Sequence, residues 1–152
     1  MVGAFDYPGA RMRRVQRLFI GLAVAIGAFS AAARADDAMP AERTQGSVTY
    51  VSGGIGKDES TALKQAASRY SLSIEMASTA SPRAQYVSDV KIDIRDQKGA
   101  TVLNVTSDGP FLLANLPPGR YTVSAARNGS SQQRAIVIAP GAHQRVMFSF
   151  KE

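Results

Sequence analysis

The chain has 152 residues, a formal net charge of +6, no cysteine and one histidine. The lack of cysteine excludes a disulfide framework and an acylated N-terminal cysteine. Five of the 18 basic residues and one of the 12 acids precede residue 36, which leaves 13 basic and 11 acidic side chains in residues 36–152, a net charge of +2. With so small a net positive charge, residues 36–152 have no basic stripe that could follow the phosphate backbone of a nucleic acid. We therefore expect no nucleic-acid partner.

Residues 1–35 have the pattern of a secretory signal peptide. Four arginines precede an apolar run from Leu18 to Ala33, and Ala33-Arg34-Ala35 closes the run with an A-x-A-like site. The run is shorter than the roughly 20 residues of a membrane-spanning helix. We expect cleavage after Ala35 and a periplasmic or secreted protein that meets the membrane only in transit. The alternatives are an uncleaved signal anchor, export by a twin-arginine route through Arg13-Arg14, and a start at Met12.

Residues 36–45 are polar, include Pro40 and show no periodicity, and these features predict a flexible leader. Residues 46–82 predict a strand-helix-strand addition. Its first strand runs from Gly46 to Ser52, with Val48 and Tyr50 on one face, and ends at Gly53-Gly54.

A helix of about three turns is predicted after this strand. Asp58 is the expected N-cap, and Glu59 suits the positive end of the helix dipole. The apolar face, which we expect to pack on a sheet, consists of Leu63, Ala66, Ala67 and Tyr70. A strand follows in which Leu72, Ile74 and Met76 alternate with polar residues, and Ser78 to Pro82 predict a loop.

Residues 83–152 predict only strands and turns. Val90, Ile92 and Ile94 alternate with charged residues, and after a turn over Asp96 to Gly99 the chain returns with Thr101, Leu103 and Val105. Pairing Ile92 with Leu103 and Val90 with Val105 places apolar side chains opposite each other, and this is the register we expect.

Three further strands are predicted, separated by Asn128-Gly129 and Pro140-Gly141; they are Tyr121 to Ala126, Gln133 to Ile138, and Gln144 to Phe150. Short strands with a turn about every ten residues are typical of a β-sandwich. The predicted fold is therefore mainly β, an antiparallel β-sandwich with one short helix in its N-terminal addition, and residues 46–152 are expected to form one unit.

Two motifs in this second part resemble a known family. Asp108-Gly109-Pro110-Phe111 is followed by Leu116-Pro117-Pro118-Gly119-Arg120-Tyr121-Thr122-Val123, and then by Ala125 and Gly129. From Val87 to Phe150 the chain resembles the carboxypeptidase regulatory-like domain, a transthyretin-like sandwich. The resemblance implies a noncatalytic module. Ser130 stands where the family usually has an aromatic residue, and the N-terminal addition is not a family feature.

The Pro-Pro-Gly stretch is interpreted as a structural corner rather than a ligand loop. Pro118-Gly119 suits the centre of a type II turn, and Leu116 can fill the end of the core. Tyr121 can bury its ring and bond its hydroxyl to nearby backbone, as in a tyrosine corner.

Two features suggest ligand sites only weakly. His143, the single histidine, lies near Pro140-Gly141 without clustered cysteines or carboxylates, which favours a solvated turn histidine over a metal ligand. Gly53 to Lys57 precede a helix but lack phosphate-loop spacing, and Asp58-Glu59 would repel a phosphate, so a strand-to-helix turn is favoured.

No catalytic constellation is evident. Asp89 and Asp93 suggest an acid pair, but Lys91 lies between them and the alternating charge favours a soluble sheet face. Ser107-Asp108 has no histidine within inferable reach for a triad. We therefore predict that the protein is not an enzyme and has no cofactor and no metal site. The sequence does not identify its binding residues.

The predicted function is that of a noncatalytic exported module that binds another protein, expected to be an envelope protein. The alternative is a carrier of carbohydrates or small ligands, for which only Tyr86 and Phe111 are interpreted as free aromatic rings. The other mature-chain aromatics are expected in the core; they are Tyr50, Tyr70, Tyr121, Phe148 and Phe150. The last strand, Gln144 to Phe150, is the predicted open edge for β-augmentation.

Overall fold

Strands and one helix follow each other along the chain in the computed structural model, which describes residues 38–79 and 85–151. The predicted signal peptide and its cleavage site lie outside the described residues, as do residues 80–82 of the predicted loop. The strands are β1 (Arg43–Gln45), β2 (Val48–Gly53), β3 (Leu72–Ser78), β4 (Gln85–Tyr86), β5 (Lys91–Asp96), β6 (Thr101–Thr106), β7 (Phe111–Asn115), β8 (Gly119–Arg127), β9 (Ser130–Ile138) and β10 (Gln144–Phe150). Helix α1 (Lys57–Ala66) lies between β2 and β3 and continues into a 3₁₀ turn, Ala67–Arg69.

The strands form two sheets. The first has the order β1-β2-β7-β3-β10, with β4 paired to β3 beyond the end of β7, and the second has the order β6-β5-β8-β9. All pairs are antiparallel except β3 with β10, which is parallel. The predicted mainly β sandwich with one short helix is confirmed, and the strand-helix-strand segment contributes β2 and β3 to the interior of the first sheet.

The main core lies between the two sheets, where alternate residues of each strand face inward. Leu72, Ile74 and Met76 of β3 are buried there, as their alternation predicts. The expected core positions of Tyr50, Tyr121, Phe148 and Phe150 are confirmed. Tyr70 is only partly buried and packs against a second cluster beneath the helix.

Helix α1 packs on the outer face of the first sheet, over β2 and β7, and the predicted packing of the helix on a sheet is confirmed. Its Leu63 and Ala66 pack on Val51, Phe111 and Leu113 of β2 and β7. The predicted capping role of Asp58 is wrong, because the helix begins at Lys57 and its N-cap is Gly56, two residues before Asp58, at a φ of 98° and without a side-chain cap. Asp58 is consequently a first-turn residue.

Part of the segment predicted as a flexible leader, residues 36–45, is a strand, because Arg43–Gln45 form β1, an antiparallel partner of β2. Gly46 has a φ of 59° and is the first of two turn residues between the strands. This is the position at which type II′ hairpin turns require glycine. The turn chemistry of Gly46-Ser47 was the signal for this hairpin.

The β5–β6 hairpin differs from the predicted register by two residues. Ile92 lies opposite Val105, and Ile94 lies opposite Leu103. The Asp96 N–H donates to the Ala100 carbonyl at 2.9 Å, so the turn is one residue shorter than predicted. The pairing also shifts between Ile94 and Arg95, where Val102 is skipped, and this irregularity accounts for the other residue of the difference. A shift of two residues keeps the same side chains on the buried face, so the alternation could not reveal it.

The Pro-Pro-Gly stretch is a corner at the entry to β8. The Tyr121 hydroxyl donates to the Pro117 carbonyl at 2.7 Å, and Leu116 is buried in the main core, so both predicted roles are confirmed. Burial raises the pKa of Tyr121, and the charge of Asp96 adds to this rise. The predicted type II turn is wrong, because Gly119 has a nearly extended φ of 159° and already pairs with Ile138.

Replacing Tyr121 by phenylalanine tests this corner. We expect the free energy of unfolding to fall by about 1 kcal/mol, because the Pro117 carbonyl loses its hydrogen bond while the ring stays packed. Urea denaturation measures the change, and Tyr86→Phe, which removes the hydroxyl from a half-exposed ring, is the control. Equal stability of Tyr121→Phe and wild type would show that the hydroxyl does not hold the corner.

Candidate functional site

A groove of about 580 Å³ runs between helix α1 and strand β10 on the outer face of the first sheet. Strands β3 and β7 form its floor, since α1 covers only the β2–β7 side of this face. Eleven residues line it: Leu63, Lys64, Ala67, Ser68, Ser73, Glu75, Tyr86, Phe111, Leu113, His143 and Arg145.

One end of the groove is aromatic. The rings of Tyr86 and Phe111 lie 5.1 Å apart, and the Lys64 ammonium lies 5.2 Å and 5.5 Å from their centroids, within cation–π range. Tyr86 is 53% exposed, which agrees with its predicted freedom. The same prediction for Phe111 is wrong: it is 2% exposed, because its β7 position faces the helix.

The other end of the groove is polar and includes His143. His143 is exposed, but it is not merely solvated: Nδ1 lies 2.7 Å from the Tyr70 carbonyl oxygen and Nε2 lies 3.2 Å from Ser73 Oγ. A carbonyl only accepts, so Nδ1 donates, and in the neutral ring Nε2 accepts from Ser73. His143 thus ties the β9–β10 loop to the start of β3. Within residues 38–79 and 85–151, no three metal-ligating side chains come together.

The serine–histidine pair has the wrong surroundings for acyl transfer. Ser73 lies inside β3 between β7 and β10, so its neighbouring backbone N–H groups belong to the two ladders. An oxyanion hole is built from free hydrogen-bond donors beside the nucleophile, and the backbone around Ser73 supplies none. Sequence inspection missed this contact because Ser73 and His143 are 70 residues apart.

An ion pair closes the groove on the β10 side. Arg145 Nη2 lies 2.8 Å from each carboxylate oxygen of Glu75. The hydrogen bond and the charge of Glu75 raise the pKa of Arg145. Glu75 is 12% exposed and Arg145 is 61% exposed, so the carboxylate lies in the floor beneath a guanidinium that reaches solvent.

The glycine-rich segment before α1 is a strand-to-helix turn, as predicted. β2 ends at Gly53 and the helix begins at Lys57. Glu59 accepts a hydrogen bond from the Gly54 N–H at 2.6 Å, so the chain's own carboxylate occupies an anion's place there.

The suggested acid pair does not form on one strand face. Asp89 precedes β5 and has a φ of 59°, whereas Asp93 lies within β5 and pairs with Arg95 at 2.8 Å. Partial burial raises the pKa of Asp93, but hydrogen bonds led by those from Arg95 and Asn104 outweigh it, and the net pKa is lowered.

Ser107 and Asp108 also have structural roles. The Ser107 hydroxyl is buried and accepts from the Val90 N–H at 3.1 Å. Asp108 pairs with Arg43 of β1 at 2.7 Å.

Strand β10 is an edge strand, as predicted, and among residues 38–79 and 85–151 no strand pairs with its other hydrogen-bonding edge. The Gln144 N–H donates to Ser71 and the Phe150 carbonyl accepts from Thr79, so even-numbered residues of β10 face β3. In a parallel ladder the backbone groups of the residues between them point away. Arg145, Met147 and Ser149 therefore present their N–H and C=O groups to the open side, where the Gln132 side chain satisfies the Ser149 carbonyl.

The other sheet edges offer fewer free backbone groups for an added strand. β1 and β4 have three and two residues. On β6, the Gln45 side chain covers the Asn104 backbone, accepting from its N–H at 2.6 Å. β9 is the other long edge, beside β10, and its Gln132 and Arg134 side chains reach across to β10.

Within the described part of the chain, no helix has the length and apolarity needed to span a membrane. Comparison with models of known protein families finds no match. Comparison with curated proteins finds no similar sequence.

Proposed function

We propose that the chain is an exported, noncatalytic interaction module, and that a partner protein adds a strand to the open edge of β10. The observation that carries this proposal is the unpaired backbone edge at Arg145 and Met147, beside the exposed Met147 side chain. The resemblance to the carboxypeptidase regulatory-like domain supports a noncatalytic role, and the signal-peptide pattern supports export.

The edge is suited to strand addition. β10 is seven residues long and pairs with β3 along its whole length, so a partner would meet a strand already held in place. Backbone hydrogen bonds supply affinity in this mode, and side-chain contacts supply specificity. Met147 is 49% exposed and provides an apolar contact beside the edge.

Proline at position 147 tests the proposal. The Met147 N–H points to the open edge, so Met147→Pro removes a donor for the partner without removing a bond to β3. In the producing cells, we expect Met147→Pro to capture at least about tenfold less of each partner that crosslinks to wild type. The reason is that two backbone hydrogen bonds of about 1 kcal/mol each would be lost.

Met147→Val is the matched control, because it changes the side chain and keeps the N–H. Circular dichroism establishes that both variants are folded. Capture of the same partners by Met147→Pro and Met147→Val in equal amounts would contradict strand addition at β10.

A second candidate is a small-ligand carrier that uses the groove. Its size lies within the usual range for ligand sites, and its floor is partly apolar. Because Phe111 is buried, only Tyr86 offers an exposed ring here, which favours a small apolar ligand over a sugar. NMR titrations with sugars and with small aromatic acids, observed at the Tyr86 ring and repeated with Tyr86→Ala, test this candidate.

A further inference from the structure

Basic side chains flank the open edge of β10 on both of its faces. Arg145 projects from the outer face and is 61% exposed. Arg134, exposed on β9, places its guanidinium 5.6 Å from the ring of Phe148, on the inner face. Lys151 follows the strand and is exposed.

Within the described residues, acidic side chains balance only part of this charge, and Arg134 and Lys151 have no paired carboxylate. Glu75 is the carboxylate beside β10, and it is already paired with Arg145. Arg134 forms no ion pair with a described residue; its hydrogen bond goes to the Gln133 carbonyl. An incoming strand therefore meets a basic edge, and charge complementarity favours acidic residues in it.

We propose that the strand added to β10 is an acidic segment. Four consecutive residues of it have an acidic residue at each end, and one of the two residues between them is apolar. This inference rests on the proposed strand addition and specifies its partner. A second copy of this chain is a poorer occupant, because it would bring the same arginines and lysine to the edge, and like charges oppose such pairing.

The pattern follows from the alternation of side chains across a strand. The residue opposite Arg145 lies on the outer face, where a carboxylate meets the exposed part of the guanidinium that Glu75 does not contact through Nη2. The residue opposite Met147 lies on the same face and is apolar. The residue opposite Phe148 lies on the inner face, near Arg134 and Gln132, where a carboxylate or another acceptor fits. In an antiparallel partner these positions read acidic, apolar, any residue, acidic.

Synthetic peptides test the inference on the purified protein. The probe is Thr-Glu-Val-Thr-Glu-Thr, and the matched peptides carry glutamine or lysine in place of glutamate. NMR titration gives the affinities, and hydrogen exchange of the Met147 and Arg145 amides reports strand addition at the edge. The titrations are run at about 50 and about 500 mM NaCl, because exposed charge pairs are screened at the higher concentration.

We expect the glutamate peptide to bind about tenfold more tightly than the glutamine peptide at low salt, and the difference to shrink to about twofold at high salt. Arg134→Gln is expected to weaken binding of the glutamate peptide about threefold and to leave the glutamine peptide unaffected. Arg120→Gln is the matched control, because Arg120 is exposed on β8 in the interior of the other sheet.

The outcomes separate this inference from the proposed function. Equal affinity of the glutamate and glutamine peptides, with both protecting the Met147 amide, would overturn the acidic specificity and leave strand addition standing. Tightest binding of the lysine peptide would also overturn the acidic specificity. Failure of all three peptides to protect the Met147 amide at millimolar concentration would count against strand addition itself. If the Met147 amide becomes more protected from exchange as the protein concentration rises without any peptide, the edge binds a second copy of this chain, and the proposed acidic partner is overturned.

Discussion

Replacing Gly109 by alanine is expected to lower the free energy of unfolding by about 3 kcal/mol, at the upper end of the usual cost of overpacking. A Cβ atom on Gly109 would lie 2.3 Å from the carbonyl oxygen of Gly53 and 2.4 Å from its carbonyl carbon. Both are backbone atoms where β2 meets β7, so no side chain can rotate to relieve the contact. Urea denaturation of the variant and the wild type measures the effect.

Gly141→Ala is the control for this substitution. Gly141 has a φ of 68°, and a Cβ atom there would meet nothing within 4 Å. Its cost of about 1 kcal/mol comes from the left-handed backbone alone. If Gly109→Ala were no more destabilising than Gly141→Ala, the close approach of the two backbones would not limit residue 109 to glycine.

The second large effect is expected at Phe148, which is fully buried between the two sheets. Phe148→Ala removes a large apolar side chain and leaves a cavity, and we expect a loss of about 4 kcal/mol in the free energy of unfolding. The guanidinium of Arg134 lies over the same ring and would lose that contact. Thermal and urea denaturation both report this loss.

Met147→Ala is the neighbouring control, because Met147 is half-exposed on the opposite face of β10. Its expected cost is about 0.5 kcal/mol, typical of a surface substitution. Similar losses for Met147→Ala and Phe148→Ala would contradict the assignment of the two faces of β10. That assignment also underlies the proposed strand addition, so this pair of variants should be measured before any partner is sought.

The structure confirms the sequence predictions that rest on local alternation. In β10, Val146, Phe148 and Phe150 are buried and the residues between them are exposed, because side chains of a strand point alternately to opposite faces. In β3, Leu72, Ile74 and Met76 face the main core as predicted, although most residues between them are buried as well. The tyrosine corner could also be predicted, because Pro117 lies only four residues from Tyr121, close enough for the hydroxyl to reach its carbonyl.

The same reasoning failed where the answer depended on distant residues or on exact turn geometry. Phe111 looked available because its sequence neighbours are turn residues, but α1 covers it. His143 looked solvated because Tyr70 and Ser73 are distant in sequence. The β5–β6 register was wrong by two residues, since alternation is unchanged by such a shift; the turn at Asp96 and the irregular pairing between Ile94 and Arg95 together set the observed register.

The sequence by itself determined seven of the ten strands, the helix and their buried faces, because alternation and helical spacing depend on residues close together in the chain. It missed β1, β4 and β7, which are short, and β7 is the strand that places Phe111 under the helix. The tertiary structure alone decided that β10 pairs in parallel with β3, that no other described strand pairs with it, and that Arg134 and Arg145 flank its other edge. These features depend on pairing between segments about 70 residues apart, and side-chain alternation is the same whichever strand lies alongside.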